Sequence, residues 1–208
     1  MPPPAQPAKR EHTSGKPVRK KGRTPEKEAG RRKWIDIAWN SLGRGAFEPV
    51  RIEPLAKSLG ITKGSFYWHF KDRQELIDAL IDRWLGHWEM PDEILKLNDP
   101  GERLWGLVER VIRRETRGQG VVLRYWSHEN PKIARRIQDA DDRRYEFLVD
   151  QLRQLKFPDK EAKVRAQLYQ AFISGEFLRH GGESLEVRLN NARAQHLVLI
   201  GGAKKRSP

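Results

Sequence analysis

From residue 31 onward the apolar residues recur at helical spacing almost without interruption, a pattern that leaves no room for a fold built on strands. Ile35, Ala38, Trp39 and Leu42 fall at i, i+3, i+4 and i+7, and the run stops at Gly43-Arg44-Gly45. Leu76, Leu80, Trp84 and Trp88 form a second stripe with Ile77, Ile81 and Leu85 beside it, and Asp72 with Glu75 three positions on makes a capping-box start. Leu104, Leu107, Val108, Val111 and Ile112 mark a third helix behind Asp99-Pro100, proline being suited to a first turn. Ile133, Ile137, Ala140, Leu148, Leu152 and Leu155 predict a helix of about six turns that ends near Phe157-Pro158. Two further stretches follow, one through Val164, Leu168, Ala171, Phe172, Gly175 and Leu178, the other through Leu185, Leu189, Ala192, His196 and Leu199. No alternating segment with hairpin punctuation competes, so the expected fold is all-α.

Charge narrows the partners. The chain of 208 residues carries 41 Lys+Arg against 28 Asp+Glu, a net +13, and will dwell near polyanions, either nucleic acid or an anionic membrane surface. Cysteine is absent, which removes disulfides, thiolate nucleophiles and cysteine zinc sites. No apolar run approaches the roughly 18 residues of a membrane span, and the first 30 residues lack the apolar centre of a signal peptide, so a cytoplasmic protein with no membrane partner is expected. Residues 1–30 hold eight Lys/Arg, three acids and no aromatic residue, and read as a disordered basic arm. Such an arm is either an inert, solubilising tail or one that touches DNA phosphates. Residues 203–208 form a short basic tail.

The densest information lies between Val50 and Phe70. Ile52, Leu55, Ala56 and Leu59 make a short apolar face, Pro54 fits a first turn, Gly60 can supply a left-handed residue, and Thr62 has an N-cap side chain. Helix, tight glycine turn, helix is the geometry that lays a second helix in the major groove while the first braces it. On a helical wheel Phe66 and Phe70 face inward, while Gly64 and Trp68 point the opposite way, flanked by Ser65 and Tyr67, with Lys63 on the first turn. Lys63 and Arg73 can neutralise phosphates, Thr62 can hydrogen-bond them, and Ser65, Tyr67 and Trp68 can reach base edges or thymine methyls. The alternative is that Tyr67 and Trp68 are half-buried packing residues and His69 an ordinary surface imidazole.

The run Leu55-Ala56 to Leu59-Gly60-Ile61-Thr62-Lys63-Gly64-Ser65-Phe66-Tyr67-Trp68-His69-Phe70, continuing Lys71 to Leu76, resembles the DNA-binding region of TetR-family transcriptional regulators. The resemblance covers about residues 31–80. It implies an N-terminal three-helix, helix-turn-helix DNA-binding domain at 31–88 and a C-terminal helical ligand-binding and dimerisation domain at 89–202. It further implies a homodimer, a palindromic double-stranded operator and a small-molecule inducer, without a cofactor. Carried over by position, the DNA-facing set is Arg51, Thr62, Lys63, Gly64, Ser65, Tyr67, Trp68 and His69, with Arg73 where the family usually has a phosphate-contacting lysine. Pro54 and the long basic extension before residue 31 depart from the family pattern.

Beyond Met90 the resemblance is one of architecture. The last two helical stretches sit where the family builds its dimer interface, and Ala171 and Gly175 would permit close helix approach. The 160–180 stretch is apolar on a second side through Tyr169, Ile173 and Phe177, which requires a partner subunit, a ligand cavity or both; the alternative is a filled monomer core. Trp105, Tyr125, Trp126, Phe147, Tyr169 and Phe172 could line an apolar-aromatic pocket favouring a flat or hydrophobic inducer, with His128 or Glu176 as polar anchors. Each of these aromatics also suits a plain core position. No phosphate loop, nucleophile elbow, dinucleotide fingerprint or HExxH occurs, and no two histidines stand at i, i+3 or i+4, so catalysis and a helix-borne metal pair are not expected. The function this leads to is a sequence-specific regulator, a repressor released by an inducer; the alternative is a sequence-independent basic nucleic-acid-binding protein.

Overall fold

Residues 24–42, 50–86, 90–114, 118–178 and 182–202 are described by a computed structural model, and among them every regular element is a helix. Their order is α1 (Pro25–Leu42), α2 (Ile52–Leu59), α3 (Gly64–His69), α4 (Arg73–Gly86), α5 (Asp92–Leu95), α6 (Pro100–Arg113), α7 (Gln119–Glu129), α8 (Pro131–Gln154), α9 (Asp159–Leu178) and α10 (Leu185–Ile200). Most of the expected basic arm, the Gly43–Gly45 stop, Trp88, the Phe177 side chain and the 203–208 tail lie outside the described residues.

The first helix starts earlier than its apolar stripe indicates. Residues 25–30, expected in the arm, are helical: Pro25 occupies the first turn with Glu26 and Glu28, whose charges favour a helix N-terminus, and Lys27 N donates to Thr24 Oγ1 at 3.4 Å. Trp34, outside the predicted apolar set, is the largest fully buried side chain of α1, and its ring meets Phe66 edge-on at 5.2 Å. Phe66 stacks on Phe70 at 5.1 Å, so α1, α3 and α4 close over an aromatic centre. Burying each such ring contributes about 2–3 kcal/mol.

Local chemistry sets the turns. Gly60 takes the left-handed conformation at φ 67°, its N–H donating to Lys57 O at 3.1 Å while Ile61 N donates to Ala56 O at 3.1 Å, which stops α2 and aims the chain into α3. The cap expected of Thr62 does not form. Ser65 N reaches the Thr62 backbone carbonyl at 3.1 Å instead, and the hydroxyl stays on the surface. Asp72 Oδ1 accepts from Glu75 N at 2.8 Å and Glu75 Oε2 accepts from Lys71 N at 2.8 Å, a capping box displaced by one residue on its return bond. Asp99 caps α6 through Glu102 N at 2.9 Å, and Asn130 caps α8.

Two helices escape the periodicity, the four-residue α5 and the longer α7. α7 opens with Gly118, at φ 84°, and carries a Gly120 and a Val121-Val122 pair that weaken its helical signal. Packing supplies the reason for Gly120, because a Cβ there would sit 3.3 Å from the Trp84 indole nitrogen. Val122, Leu123 and Trp126 of α7, with Ile133 and Ile137 of α8, complete the same core as α1–α4. The second core is formed by α6, α8, α9 and α10 around Leu104, Leu107, Val108, Leu148, Leu152 and Tyr169. Lys132 and Arg136 of α8 pair with Asp78, and Arg136 also with Asp82 of α4, tying the two halves in register.

α9 presents two apolar faces, as its sequence requires. Ala162, Ala166, Tyr169 and Ile173 are buried, whereas Val164 and Leu168 face outward, and on α10 Leu197 and Val198 do the same, Val198 at 76% exposure.

Candidate nucleic-acid interface and the cleft of the helical body

α3 is short, and its two faces differ completely. Phe66 and Phe70 are at most 1% exposed, while Trp68 is 78% and Tyr67 55% exposed. An indole left largely in water next to a fully buried phenyl ring is the amphipathic split predicted for a presented helix, and it removes the packing alternative for Trp68, whereas the Tyr67 ring also lies edge-on against Phe66 at 5.3 Å. Thr62, Lys63 and Gly64 lie on the surface and Ser65 is half-buried beside them. A Cβ on Gly64 would meet only Thr62 Oγ1, at an ordinary 3.7 Å, so nothing within the chain demands glycine there.

His69 departs from that set. Its imidazole packs over Gly30 of α1, where any Cβ would overlap the ring, and its Nδ1 is buried. The residue is half-buried and helps seat α3 on α1, because i+1 from Trp68 turns the side chain back toward the helix that the wheel places behind it. Arg73 donates through Nε to Val50 O at 2.7 Å, pinning the segment that enters α2, and the residue remains exposed beside exposed Arg51. Arg31 lies 4.4 Å over the Phe70 ring and reaches Glu75 at 3.2 Å, locking α1 to α4.

Lys63 has a partner that the sequence did not indicate. Its ammonium pairs with Glu53 of α2, which raises the lysine above its ordinary range and holds the glutamate below its own. The pair joins residues ten apart on two helices, so no i, i+4 pattern announces it.

The residues expected around an aromatic inducer pocket do not converge. Trp126 belongs to the core shared with the head, and Tyr125 and His128 are exposed. Trp105, Phe147 and Phe172 are half-buried against the second core; the Trp105 ring lies under the Arg193 guanidinium at 4.8 Å and against the His196 ring at 5.6 Å. Tyr169 is fully buried, its hydroxyl 2.8 Å from His196 Nδ1, and Glu176 is buried in an ion pair with Arg188 at 3.2 Å. Trp105, Phe147, Tyr169 and Phe172 instead fill the spaces between α6, α8, α9 and α10.

A polar cleft opens elsewhere, between α7, α8 and α9, with a volume of about 560 Å³. Its wall is organised by Asp141, which accepts from Arg124 Nη1 at 2.8 Å and Nη2 at 3.0 Å and from Arg144 Nη1 at 2.7 Å. Burial alone would push the Asp141 carboxyl up, but the two guanidiniums outweigh it and hold it below the usual carboxylate range. The face of Arg124 lies 5.3 Å over Trp84 of α4, so one side chain touches both the cleft and the helix that carries the head.

Residues 35–80, the stretch from α1 through most of α4, match the family described as bacterial regulatory proteins, tetR family. The similarity to the DNA-binding region of that family is thus confined to the head of the chain. The chain is 29% identical over 55 residues to the transcriptional regulator AcrR of Shigella flexneri, a match that covers 26% of each chain, so it spans about a quarter of the length of that curated relative. The similarity in fold is much longer. The ketosteroid transcriptional regulator KstR2 of Mycobacterium tuberculosis aligns with 85% of this chain and 95% of its own at 20% identity and a TM-score of 0.66. AibR, in complex with isovaleryl coenzyme A and operator DNA, aligns with 82% of this chain and 98% of its own at 16% identity and a TM-score of 0.67. A transcriptional regulator of Saccharomonospora viridis in complex with choline aligns with 80% of this chain and 95% of its own at 25% identity and a TM-score of 0.67. The fold of these neighbours, a helical head on a helical body, thus extends over most of the described chain. Among the described residues no helix is long and apolar enough to cross a membrane.

Proposed function

We propose that the chain is a homodimeric, sequence-specific DNA-binding transcriptional regulator that reads a palindromic operator through α3 and acts as a repressor released by a small molecule. The observation that carries this is the exposed Tyr67-Trp68 pair beside Gly64 on a helix whose other face is sealed in the core. An open position at Gly64 lets the helix backbone approach a duplex, and the aromatic pair can reach thymine methyls and base edges. Lys63, Arg73 and Thr62 stand around it as phosphate contacts. The Val164 and Leu168 face of α9 and the Leu197 and Val198 face of α10 are the surface for the second subunit, which doubles the half-site by two-fold symmetry. The basic residues ahead of α1 add sequence-independent attraction, and residues 31–88, with the turns of α1 from Pro25 on, and 89–202 divide reading from response.

A small-molecule trigger fits the connection between the halves. Asp78, Asp82 and Trp84 of α4 are gripped by Lys132, Arg136 and Arg124 of the body, so a shift of α7 or α8 is transmitted to the head. Neighbouring proteins of this fold solved in complex with isovaleryl coenzyme A or with choline give the fold a precedent for holding small molecules.

Selection of bound duplexes from a random library, followed by competition with scrambled duplex, tests this function. A two-fold symmetric site retained at least about 10³-fold over random duplex is the expected result. Binding without enrichment of any sequence, lost uniformly with added salt, would leave only the sequence-independent alternative.

A further inference from the structure

Building on the ligand-responsive role proposed above, on which this step rests, we propose that the cleft between α7, α8 and α9 binds a neutral, multiply hydroxylated molecule of the sugar or polyol class. The volume of about 560 Å³ lies within the roughly 300–1,000 Å³ typical of small-molecule sites. The formal charges on its wall cancel, Arg124 and Arg144 against Asp141 and Asp142, so neither an anion nor a cation meets a net field. Those charges are also engaged with each other. The fork of Arg124 is spent on Asp141, both oxygens of Asp141 accept from guanidinium, and Asp142 accepts from Gln138 Nε2 at 2.7 Å. An acidic ligand would have to compete with Asp141 for its arginines, and the pair is partly withdrawn from water, with the Asp141 side chain 21% exposed, so breaking it costs more than breaking a fully exposed one.

What the wall presents instead is amide and hydroxyl chemistry. Gln138, Gln167 and Gln170 each both donate and accept, as does Ser174, and this matches a ligand hydroxyl that does both. Two of the amides are set in place beforehand. Gln170 donates from Nε2 to the Asp141 backbone carbonyl at 3.1 Å and Gln138 to Asp142, which leaves their carbonyl oxygens as acceptors. Tyr145 offers a flat apolar face for the C–H side of a ring. The cleft also abuts Arg124, whose other contact is Trp84, so an occupant sits one side chain from α4.

The test uses the full-length chain. Titration calorimetry is run with neutral probes (glucose, maltose, sorbitol, myo-inositol), acidic probes (gluconate, citrate) and cationic probes (choline, putrescine), on wild type, Gln138→Ala and Gln170→Ala. Saturable binding by a neutral probe, weakened about tenfold in each variant, is expected, since that is the effect of one lost hydrogen bond of ordinary strength. Gln138 is exposed, so its variant remains informative should Gln170→Ala fold poorly. No saturable binding by any neutral probe, tighter binding of an acid or cation lost in the same variants, or unchanged affinity in Gln138→Ala overturns the assignment. The two levels separate in a DNA-binding assay on the selected duplex. A polyol that binds through Gln138 and leaves DNA affinity unchanged keeps this site and removes the ligand-responsive role; an acid or cation that releases DNA with both variants unaffected does the reverse.

Discussion

Removing one hydroxyl from the seam between α9 and α10 should weaken the fold by a defined amount. Tyr169 and His196 are both 0% exposed, and the phenol lies 2.8 Å from imidazole Nδ1, donating to it when the ring proton sits on Nε2. His196 Nε2 is itself buried with no hydrogen-bond partner, so the ring depends on Tyr169. Tyr169→Phe keeps the shape and leaves Nδ1 unsatisfied, a cost of about 1–3 kcal/mol. At roughly 2–4 °C per kcal/mol for a chain of this size, Tm should fall by about 2–12 °C. The same seam makes stability depend on pH. Burial, helped by Arg193 and opposed by Glu102 and Asp99, lowers the His196 pKa from 6.5 to about 4. The unfolded chain therefore takes up the proton first, so the contribution of neutral His196 is intact above about pH 6.5 and is lost progressively as pH falls toward 4. The full difference is at most about 3 kcal/mol. Thermal melts followed by circular dichroism at several pH values, on wild type, Tyr169→Phe and His196→Leu, isolate the effect, because other titrating groups cancel between variants. A Tyr169→Phe melt indistinguishable from wild type, or a wild-type to His196→Leu difference that does not change between pH 7 and 4, refutes the reasoning.

Other variants probe the head and the proposed interface. Gly64→Val should leave the melt unchanged, because a Cβ there meets only Thr62 Oγ1 at an ordinary 3.7 Å, while DNA binding falls sharply; retained binding would show that the backbone is not approached. Lys63→Ala should lower the salt slope of DNA binding by about one, and Glu53→Gln should raise binding by releasing the ammonium from its carboxylate, both read by fluorescence anisotropy. Trp34→Ala should cost about 3–5 kcal/mol through the cavity left against Phe66, measured by denaturant unfolding. Leu168→Glu with Leu197→Glu should convert a dimer to a monomer in sedimentation without loss of helicity, since both side chains are exposed in the single chain.

Much of this was legible in the residues, for identifiable reasons. The bracing helix, its Gly60 stop and the inward Phe66-Phe70 pair follow from spacing and backbone chemistry that are local. Non-local packing was not legible. Trp34 lies beside the predicted stripe, and its burial depends on Phe66 arriving from α3; Gly120 weakens α7 on paper and gives the Trp84 indole of α4 room to approach. The same limit explains the ligand region. Aromatic residues at helical spacing serve a core or a pocket equally well, and only the three-dimensional arrangement shows Tyr169 sealed against His196 while Gln138, Gln170 and the Arg124–Asp141 pair line the open space. His69 and Glu53 belong to this class too, each acting across a helix boundary.

The central claim, that the aromatic face of α3 meets the bases, is tested most directly by photo-crosslinking. A selected duplex carrying 5-bromouracil at successive thymines is irradiated with the full-length protein, and the joined peptide is identified by mass spectrometry. The account predicts attachment at Tyr67 or Trp68, at positions symmetric about the centre of the site and abolished by replacing those residues. Crosslinks confined to the N-terminal segment or to the helical body, with Tyr67 and Trp68 untouched, would contradict it.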